Sequence, residues 1–227
     1  MGAQFEMILI ICMAGLNTRY HDVGFDIPKY LLPWGEKTII HAILSELLIK
    51  YEFGEILLLP NRRDRYFKNR LLESLSDLPI GENNISYVAD TKGQAHTAAL
   101  GAQIATEKFR DVNKMIAFHN SDTIIQNRNI NSVAEQLKRH DAYIDIFPAS
   151  SPNYSYVSLE SGMVTRIVEN EIVSPFASSG FYAFRSIDSY LRAFNQTHEA
   201  RSKNESDEMY LSDVLQEAIR TGSKVFV

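Results

Sequence analysis

The chain has 227 residues, 45% of them hydrophobic and 22% charged, a composition near the globular average that excludes disordered, collagen-like and coiled-coil classes. A formal net charge of −5 argues against a general nucleic-acid binder, and the single cysteine, Cys12, excludes an internal disulfide and fits a reducing compartment. The apolar run from Met7 to Met13 is far shorter than the ~20 residues of a membrane span, and it follows Glu6 rather than a basic segment. Neither a membrane anchor nor a signal peptide is expected, and the expected compartment is the cytoplasm.

The pattern alternates between strands and helices. Met7 to Met13 is apolar without alternation, as in a strand buried on both faces of a parallel sheet. Thr38 to Tyr51 carries a stripe at helical spacing through Ile40, Ile43, Leu44 and Leu47. Gly54 stops that helix, and Glu55 to Leu59 reads as a second buried strand. A polar helix (Arg62 to Ser76), a short strand (Ile85 to Val88) and a helix (Gln94 to Lys108) follow. Next come a strand at Lys114 to His119 and a helix from Ile130 to Arg139. Beyond Tyr143, short strands at Tyr143 to Phe147, Tyr154 to Leu159, Met163 to Val168 and Gly180 to Phe184 are separated by Pro, Ser, Asn and Gly. Helices at Ile187 to Phe194 and Asp207 to Thr221 close the chain. The expected fold class is α/β, with a mostly parallel, mixed, Rossmann-like sheet, helices on both faces and a small antiparallel insertion. No linker-like stretch divides the chain, so one domain is expected, with a first part over residues 1–142 and a second over 143–227.

Several familiar chemistries are excluded by what is missing. There is no Walker-type phosphate loop, no G-x-G-x-x-G after the first strand and no G-x-S-x-G elbow. The histidines, at 21, 41, 96, 119, 140 and 198, lack the pairing a zinc site needs. The basic run Arg62 to Arg70 reads as a solvated helix face on an acidic protein. Tyr154, Tyr156, Phe176, Phe181 and Tyr182 read as core and pocket wall.

The informative segment leaves the carboxyl end of the first strand, where open α/β sheets bind ligands. It runs Met13-Ala14-Gly15-Leu16-Asn17-Thr18-Arg19, and Pro28-Lys29 follows. Small residues let backbone N–H groups approach a phosphate chain. Arg19 offers a planar, permanently charged fork, and Lys29 a second cation on its own Pro-led turn.

This segment resembles the G-G-x-G-T-R…P-K pattern of sugar-nucleotide pyrophosphorylases, a nucleotidyltransferase family that includes glucose-1-phosphate thymidylyl- and cytidylyltransferases and phosphocholine cytidylyltransferases. Its Met-Ala-Gly opening resembles a subgroup that serves capsule or surface-polysaccharide pathways. The likeness continues in order. Gly93-Gln94-Ala95 resembles the family's base-contacting turn, and Asp122 its strand-end Mg²⁺ ligand. Val164 to Glu169 is similar to the V-x-x-I-x-E-K segment, Ser179 to Phe184 to the N-x-G-x-Y-x-F strand, and Glu208 to Asp213 to the E-x-Y-L-[ST]-D helix start. Ala14 and Asn17 stand where the family has glycines, and Asn170 where it has a lysine. The chain also stops before the strand that usually carries a second metal-binding aspartate.

The resemblance implies a GT-A-like nucleotidyltransferase fold, with a nucleotide half at about 1–142 and an acceptor half at about 143–227. It implies a Mg²⁺-dependent reaction of an NTP, pyrimidine by analogy, with a phosphorylated acceptor, a sugar 1-phosphate or a small non-sugar phosphate, releasing pyrophosphate. Arg19, Lys29 and Asp122 would be catalytic, with Asp122 holding the metal. Ala14, Gly15, Leu16, Asn17, Thr18, Gly93 and Gln94 would bind the nucleotide, and Glu169, Asn170 and Gly180 the acceptor. Neither nucleic acid nor membrane is an expected partner, and a homo-oligomer is allowed. The alternatives are a GT-A-like glycosyltransferase using an NDP-sugar, or a non-catalytic nucleotide-binding relative.

Overall fold

The first strand explains the architecture, because every one of its residues is buried. In the computed structural model, which describes residues 7–15, 24–126, 130, 132–201 and 208–227, β1 (Ile8–Met13) lies inside one eight-stranded sheet. Its side chains alternate between two cores. Ile8, Ile10 and Cys12 face one core, with α3 (Gln94–Phe109), α5 (Ile187–Arg201) and α6 (Leu211–Arg220). Leu9, Ile11 and Met13 face the other, with α1 (Ile39–Lys50), Leu71 of α2 (Lys68–Ser74) and Val133 of the short α4 (Val133–Gln136). Apolar demand on both faces is what removes the alternation from the sequence.

The sheet also holds β4 (Glu55–Pro60), β5 (Ile116–Asn120), β6 (Ala142–Pro148), β7 (Ser155–Glu160), β8 (Met163–Glu169), β9 (Phe176–Phe184) and β10 (Val225–Phe226). Its strand order is β4-β1-β5-β9-β6-β10-β8-β7, with β9 also touching β7. Pairings β4–β1, β1–β5 and β6–β10 are parallel; those through β9, β8 and β7 are antiparallel. The expected mixed sheet with helices on both faces is the observed one, and its antiparallel strands continue the same sheet as the parallel ones. A small hairpin of β2 (Pro33–Trp34) and β3 (Lys37–Thr38) leads into α1, whose first turn is capped by the Thr38 hydroxyl accepting from the His41 N–H at 3.3 Å.

Some expected elements are changed. The segment Ile85 to Val88 makes only isolated bridges, to Leu58 and Asn61 on the outer side of β4, rather than a strand. The helix expected over Arg62 to Ser76 begins as a 3₁₀ turn, Arg62–Phe67, before α2. The helix expected over Ile130 to Arg139 shortens to α4, because Lys138 and Arg139 bond back three residues and tighten into turns. The basic run lies on the surface as expected, with Arg63 paired to Asp90 and Lys68 to Glu82. Among the described residues, no helix is long and apolar enough to cross a membrane.

The seat of α3 on the sheet requires a glycine. A Cβ on Gly101 would lie 2.6 Å from Leu59 Cδ1 and 2.8 Å from Ile10 Cδ1, and both neighbours are fully buried. Gly101→Val is therefore expected to destabilise the protein by about 1–3 kcal/mol, although valine is the better helix former. Urea unfolding checks this, and a midpoint at or above wild type would show that the core yields there.

Candidate active site

The carboxyl ends of β4, β1 and β5 lie on one edge of the sheet, and a cleft of about 1280 Å³ opens along it. Ala14 and Gly15, just past β1, line this cleft, and the Ala14 carbonyl is held by Asn61 Nδ2 at 3.3 Å. A Cβ built on Gly15 would meet nothing within 4 Å among the described residues. Leu16, Asn17, Thr18 and Arg19 lie outside the described residues.

Lys29 and Asp122 meet in the cleft. Lys29 begins a 3₁₀ turn whose next residues, Tyr30 and Leu31, are buried, and the Tyr30 hydroxyl donates to the buried Asp64 at 3.1 Å. Burial, and then the Asp64 charge, pushes the Tyr30 phenol well above its ordinary range, so it stays a donor. Anchored this way, Lys29 Nζ donates to Asp122 Oδ2 at 2.6 Å. Asp122 sits two residues beyond the end of β5. Between them, Asn120 Oδ1 and Ser121 Oγ are buried without a hydrogen-bond partner among the described residues.

Gly93 and Gln94 open α3 at the same cleft, with Gly93 at φ 100°. A Cβ at Gly93 would lie 2.6 Å from the Met209 carbonyl oxygen and 2.7 Å from its nitrogen. That close approach lets Met209 N–H donate to Lys92 O at 3.0 Å, and Ala95 N–H donate to Met209 O at 2.9 Å. The chain just before α6 is thereby fastened to the start of α3. Gly180, on β9, lies under Asn120: its φ is 82°, and a Cβ would fall 1.7 Å from Asn120 Oδ1.

At the other end, Glu169 closes β8. Ser155 is its cross-strand partner on β7, and both the Ser155 and the Ser212 hydroxyls donate to Glu169 Oε1. Ser212 comes from the first turn of α6, which Asp213 Oδ2 caps by accepting from the Tyr210 N–H at 2.8 Å. Asp213 also pairs with Arg201 at 2.6 Å, while burial raises its pKa. Burial, followed by a hydrogen bond to Glu208 and then the charges of Glu208 and Glu169, pushes the Tyr210 hydroxyl up to about 12.

Asn170 does not join the cleft. It turns the chain after β8 at φ 57°, a left-handed conformation that asparagine tolerates, and its N–H donates to Tyr154 O at 3.1 Å.

Residues 8–226 match the Nucleotidyl transferase family. The chain belongs to that family. A search of curated proteins finds no match. Among solved structures, the chain is similar to a nucleoside-diphosphate-sugar pyrophosphorylase from Vibrio cholerae RC9, at 24% identity and a TM-score of 0.82, covering 96% of this chain and 90% of that one. It is also similar to an inositol-1-phosphate CTP transferase from T. maritima, at 16% identity and a TM-score of 0.68, covering 98% and 85%. A UDP-glucose pyrophosphorylase complexed with UDP-glucose aligns at 18% identity and a TM-score of 0.72, covering 97% and 90%. At these identities the likeness establishes the shared fold.

In this nucleotidyl transferase, Lys29, Asp122, Ala14, Gly15, Gly93, Gln94, Glu169 and Gly180 all line one cleft. Sequence reasoning missed Ser155, Glu208, Tyr210 and Trp34 as cleft residues. Ser155 could be found only from the β7–β8 register, which the residues alone do not give. Mg²⁺ takes oxygen donors and needs only one or two carboxylates beside substrate phosphates. The Asp122 carboxylate and the unpartnered Asn120 amide oxygen fit that demand, whereas no cluster of three or more His, Cys, Asp or Glu exists among the described residues.

The fastening at Gly93 gives a direct test. Gly93→Ala adds a Cβ against the Met209 backbone at a positive φ, and is expected to cost about 1–3 kcal/mol and to loosen the start of α3. Thermal unfolding, with amide exchange at Ala95 and Met209, checks both effects; wild-type protection at these amides would refute the close-approach account.

Proposed function

We propose that this protein is a Mg²⁺-dependent nucleotidyltransferase joining an NTP to a phosphorylated acceptor, a sugar 1-phosphate or a small non-sugar phosphate, with release of pyrophosphate. The observation that carries the reading is the meeting of Lys29 with Asp122, 93 residues apart in sequence, in a cleft whose far wall holds Glu169. Family membership supports the reaction class. The inositol-1-phosphate CTP transferase of the same fold supports a pyrimidine nucleotide by analogy. Residues 1–142 then form the nucleotide half and 143–227 the acceptor half of one domain. Membership of the Met-Ala-Gly subgroup, a cytoplasmic place in surface-polysaccharide precursor synthesis and assembly as a homo-oligomer extend the same proposal.

An oxygen of the acceptor phosphate attacks the α-phosphorus of the NTP. A new P–O bond forms, the α–β bridging P–O bond breaks, and its electron pair leaves with pyrophosphate. A phosphate monoester is already largely dianionic near neutral pH, so no side chain has to remove a proton. The protein's task is positioning and charge neutralisation. The backbone of Ala14 and Gly15 and the amino end of α3 receive phosphate and base, with Gly93 allowing close approach. Lys29 and Arg19 offset charge on the α-phosphate and the departing pyrophosphate. Asp122 would hold Mg²⁺, with the Asn120 amide oxygen beside it, and the metal would neutralise phosphate oxygens. Without ligands, Lys29 and Asp122 neutralise each other; an arriving triphosphate draws Lys29 and releases Asp122.

Pyrophosphate release, measured with each NTP across phosphorylated acceptors and with Mg²⁺ present or withheld, tests the reading. Trp34 is the chain's only tryptophan and lines the cleft half-exposed, so its fluorescence reports nucleotide binding independently of turnover. Lys29→Ala and Arg19→Ala are each expected to lower turnover by roughly 10²-fold or more. Asp122→Ala is expected to abolish Mg²⁺ stimulation. Nucleotide-dependent quenching without pyrophosphate from any acceptor would leave a binding protein in place of an enzyme.

A further inference from the structure

Asp145, in the middle of β6, is buried, does not line the cleft and takes no part in the reaction described above. A buried carboxylate is costly unless it is hydrogen-bonded, so its place in a strand calls for a reason. The pairing around it is irregular. β6 and β9 are in register at Ile144–Tyr182 and again at Ile146–Ser178, so Asp145 alone stands opposite Ser179, Gly180 and Phe181. The Ser179 hydroxyl donates to Asp145 Oδ2 at 2.5 Å, and the Tyr143 hydroxyl donates to Oδ1 at 3.2 Å. Ser179 Oγ also accepts from the Phe181 N–H at 3.4 Å. Its neighbour Ser178 does the same one residue earlier, accepting from the Gly180 N–H at 3.1 Å and donating to the Tyr182 hydroxyl at 2.9 Å. Two buried serines thus satisfy backbone groups that the bulge withdraws from the ladder.

What the bulge achieves is the seat of Gly180. Its backbone, at φ 82°, lies so close beneath Asn120 that a Cβ would fall 1.7 Å from Oδ1 and 2.2 Å from Nδ2. The Asn120 amide resting there donates from Nδ2 to Thr123 Oγ1 at 3.2 Å, across the turn that carries Asp122. We propose that Asp145 is a positioning residue for the metal end of the site: through Ser179 it holds the β9 bulge, and the bulge seats Gly180 against the Asn120 amide that braces the Asp122 turn. The inference rests on the nucleotidyltransferase reading, with Asp122 and Asn120 at the metal, and deepens it. Without the Ser179–Asp145 bond the Phe181 and Gly180 N–H groups lose part of their substitute ladder, and β9 can relax toward regular pairing with β6. The surface under the Asn120 amide would then move, and with it the turn to Thr123. Groups that orient a metal ligand without touching the metal typically alter its affinity by about 10- to 100-fold, and that is the scale on which Asp145 acts. The charge of the carboxylate matters here because a charge-assisted hydrogen bond holds the serine hydroxyl in one direction more firmly than a neutral acceptor would.

The test uses Ser179→Ala and Asp145→Ala in the full chain, with folding checked by thermal unfolding; Ser179→Ala keeps the test open should loss of the buried carboxylate prevent folding. Trp34 fluorescence measures nucleotide affinity with Mg²⁺ withheld and across a Mg²⁺ titration, so the readout does not depend on turnover. The Mg²⁺ concentration for half-maximal effect is expected to rise by roughly 10-fold or more, while affinity for the metal-free nucleotide stays at the wild-type value. In an Asn120→Ala background the further effect of Ser179→Ala is expected to vanish, because the route runs through that amide. The side-chain amide signals of Asn120 in an NMR spectrum, assigned from their loss in Asn120→Ala, are expected to shift in Ser179→Ala without any ligand. An unchanged Mg²⁺ requirement in folded Ser179→Ala would overturn the inference and leave nucleotidyl transfer standing. Equal losses with and without Mg²⁺ would reduce Asp145 to a structural residue and overturn it as well. Wild-type nucleotide binding that ignores Mg²⁺ would overturn the metal reading of Asp122 and this inference together. Unmoved Asn120 amide signals would overturn the route through Gly180 whatever the metal does.

Discussion

The site depends on one backbone contact. Met209 is held between the Lys92 carbonyl and the Ala95 N–H, and this is sterically open only because residue 93 has no Cβ. The contact ties the amino end of α3, in the first part of the chain, to the chain that enters α6, in the last part. Glu208 immediately precedes Met209, and Tyr210 and Ser212 follow within three residues, so their distance from Gly93 and Gln94 is set by that fastening rather than by their own side chains. The hydrogen bond from the Ile167 N–H to Gln216 Oε1, at 2.6 Å, then fixes α6 against β8, and Glu169 closes that same strand. A chain of short contacts thus sets the span of the cleft.

The sheet supplies the other coordinate. Parallel β4, β1 and β5 bring three carboxyl ends to one edge, and chemistry-bearing residues follow each: Asn61 after β4, Ala14 and Gly15 after β1, Asp122 after β5. Antiparallel β9 lies beside β5 and places Gly180 under Asn120, so the later, antiparallel strands reach the same edge as part of the same sheet. The buried pair Tyr30–Asp64 plays the same part for Lys29. It makes a hydrogen-bonded anchor out of a turn that would otherwise rely on packing alone.

What could be read from the residues follows from how local each signal is. β1 was legible because burial on both faces leaves an unbroken apolar run, and α1 because its stripe has helical period. Lys29, Gly93, Asp122 and Glu169 could be placed because each stands at the end of a recognisable element and in an ordered set of motifs. The segment Ile85 to Val88 misled because strand-like residues touch β4 at two points only. β10 was not expected, because two residues carry no period and its pairing with β6 is decided by tertiary packing. The serine support of Glu169 was invisible for the same reason, since a strand register is a property of two segments at once. Asn170 was singled out from a motif position where the family has a lysine, and its left-handed backbone, which asparagine tolerates, was not part of that signal.

Charge placement along the cleft has a kinetic consequence beyond contact energies. The amino terminus of α3, with its positive dipole end, and Lys92 share their part of the cleft with Glu208, whose Cγ lies 2.9 Å from where a Gly93 Cβ would stand, and Glu169 stands at the end of β8. A cleft with low-dielectric walls focuses such a field, so a ligand bearing charge of one sign at one end is turned before it touches the protein. The fastening at Met209 therefore brings a carboxylate-bearing residue against the positive end of α3, so the field a ligand meets there is set by both.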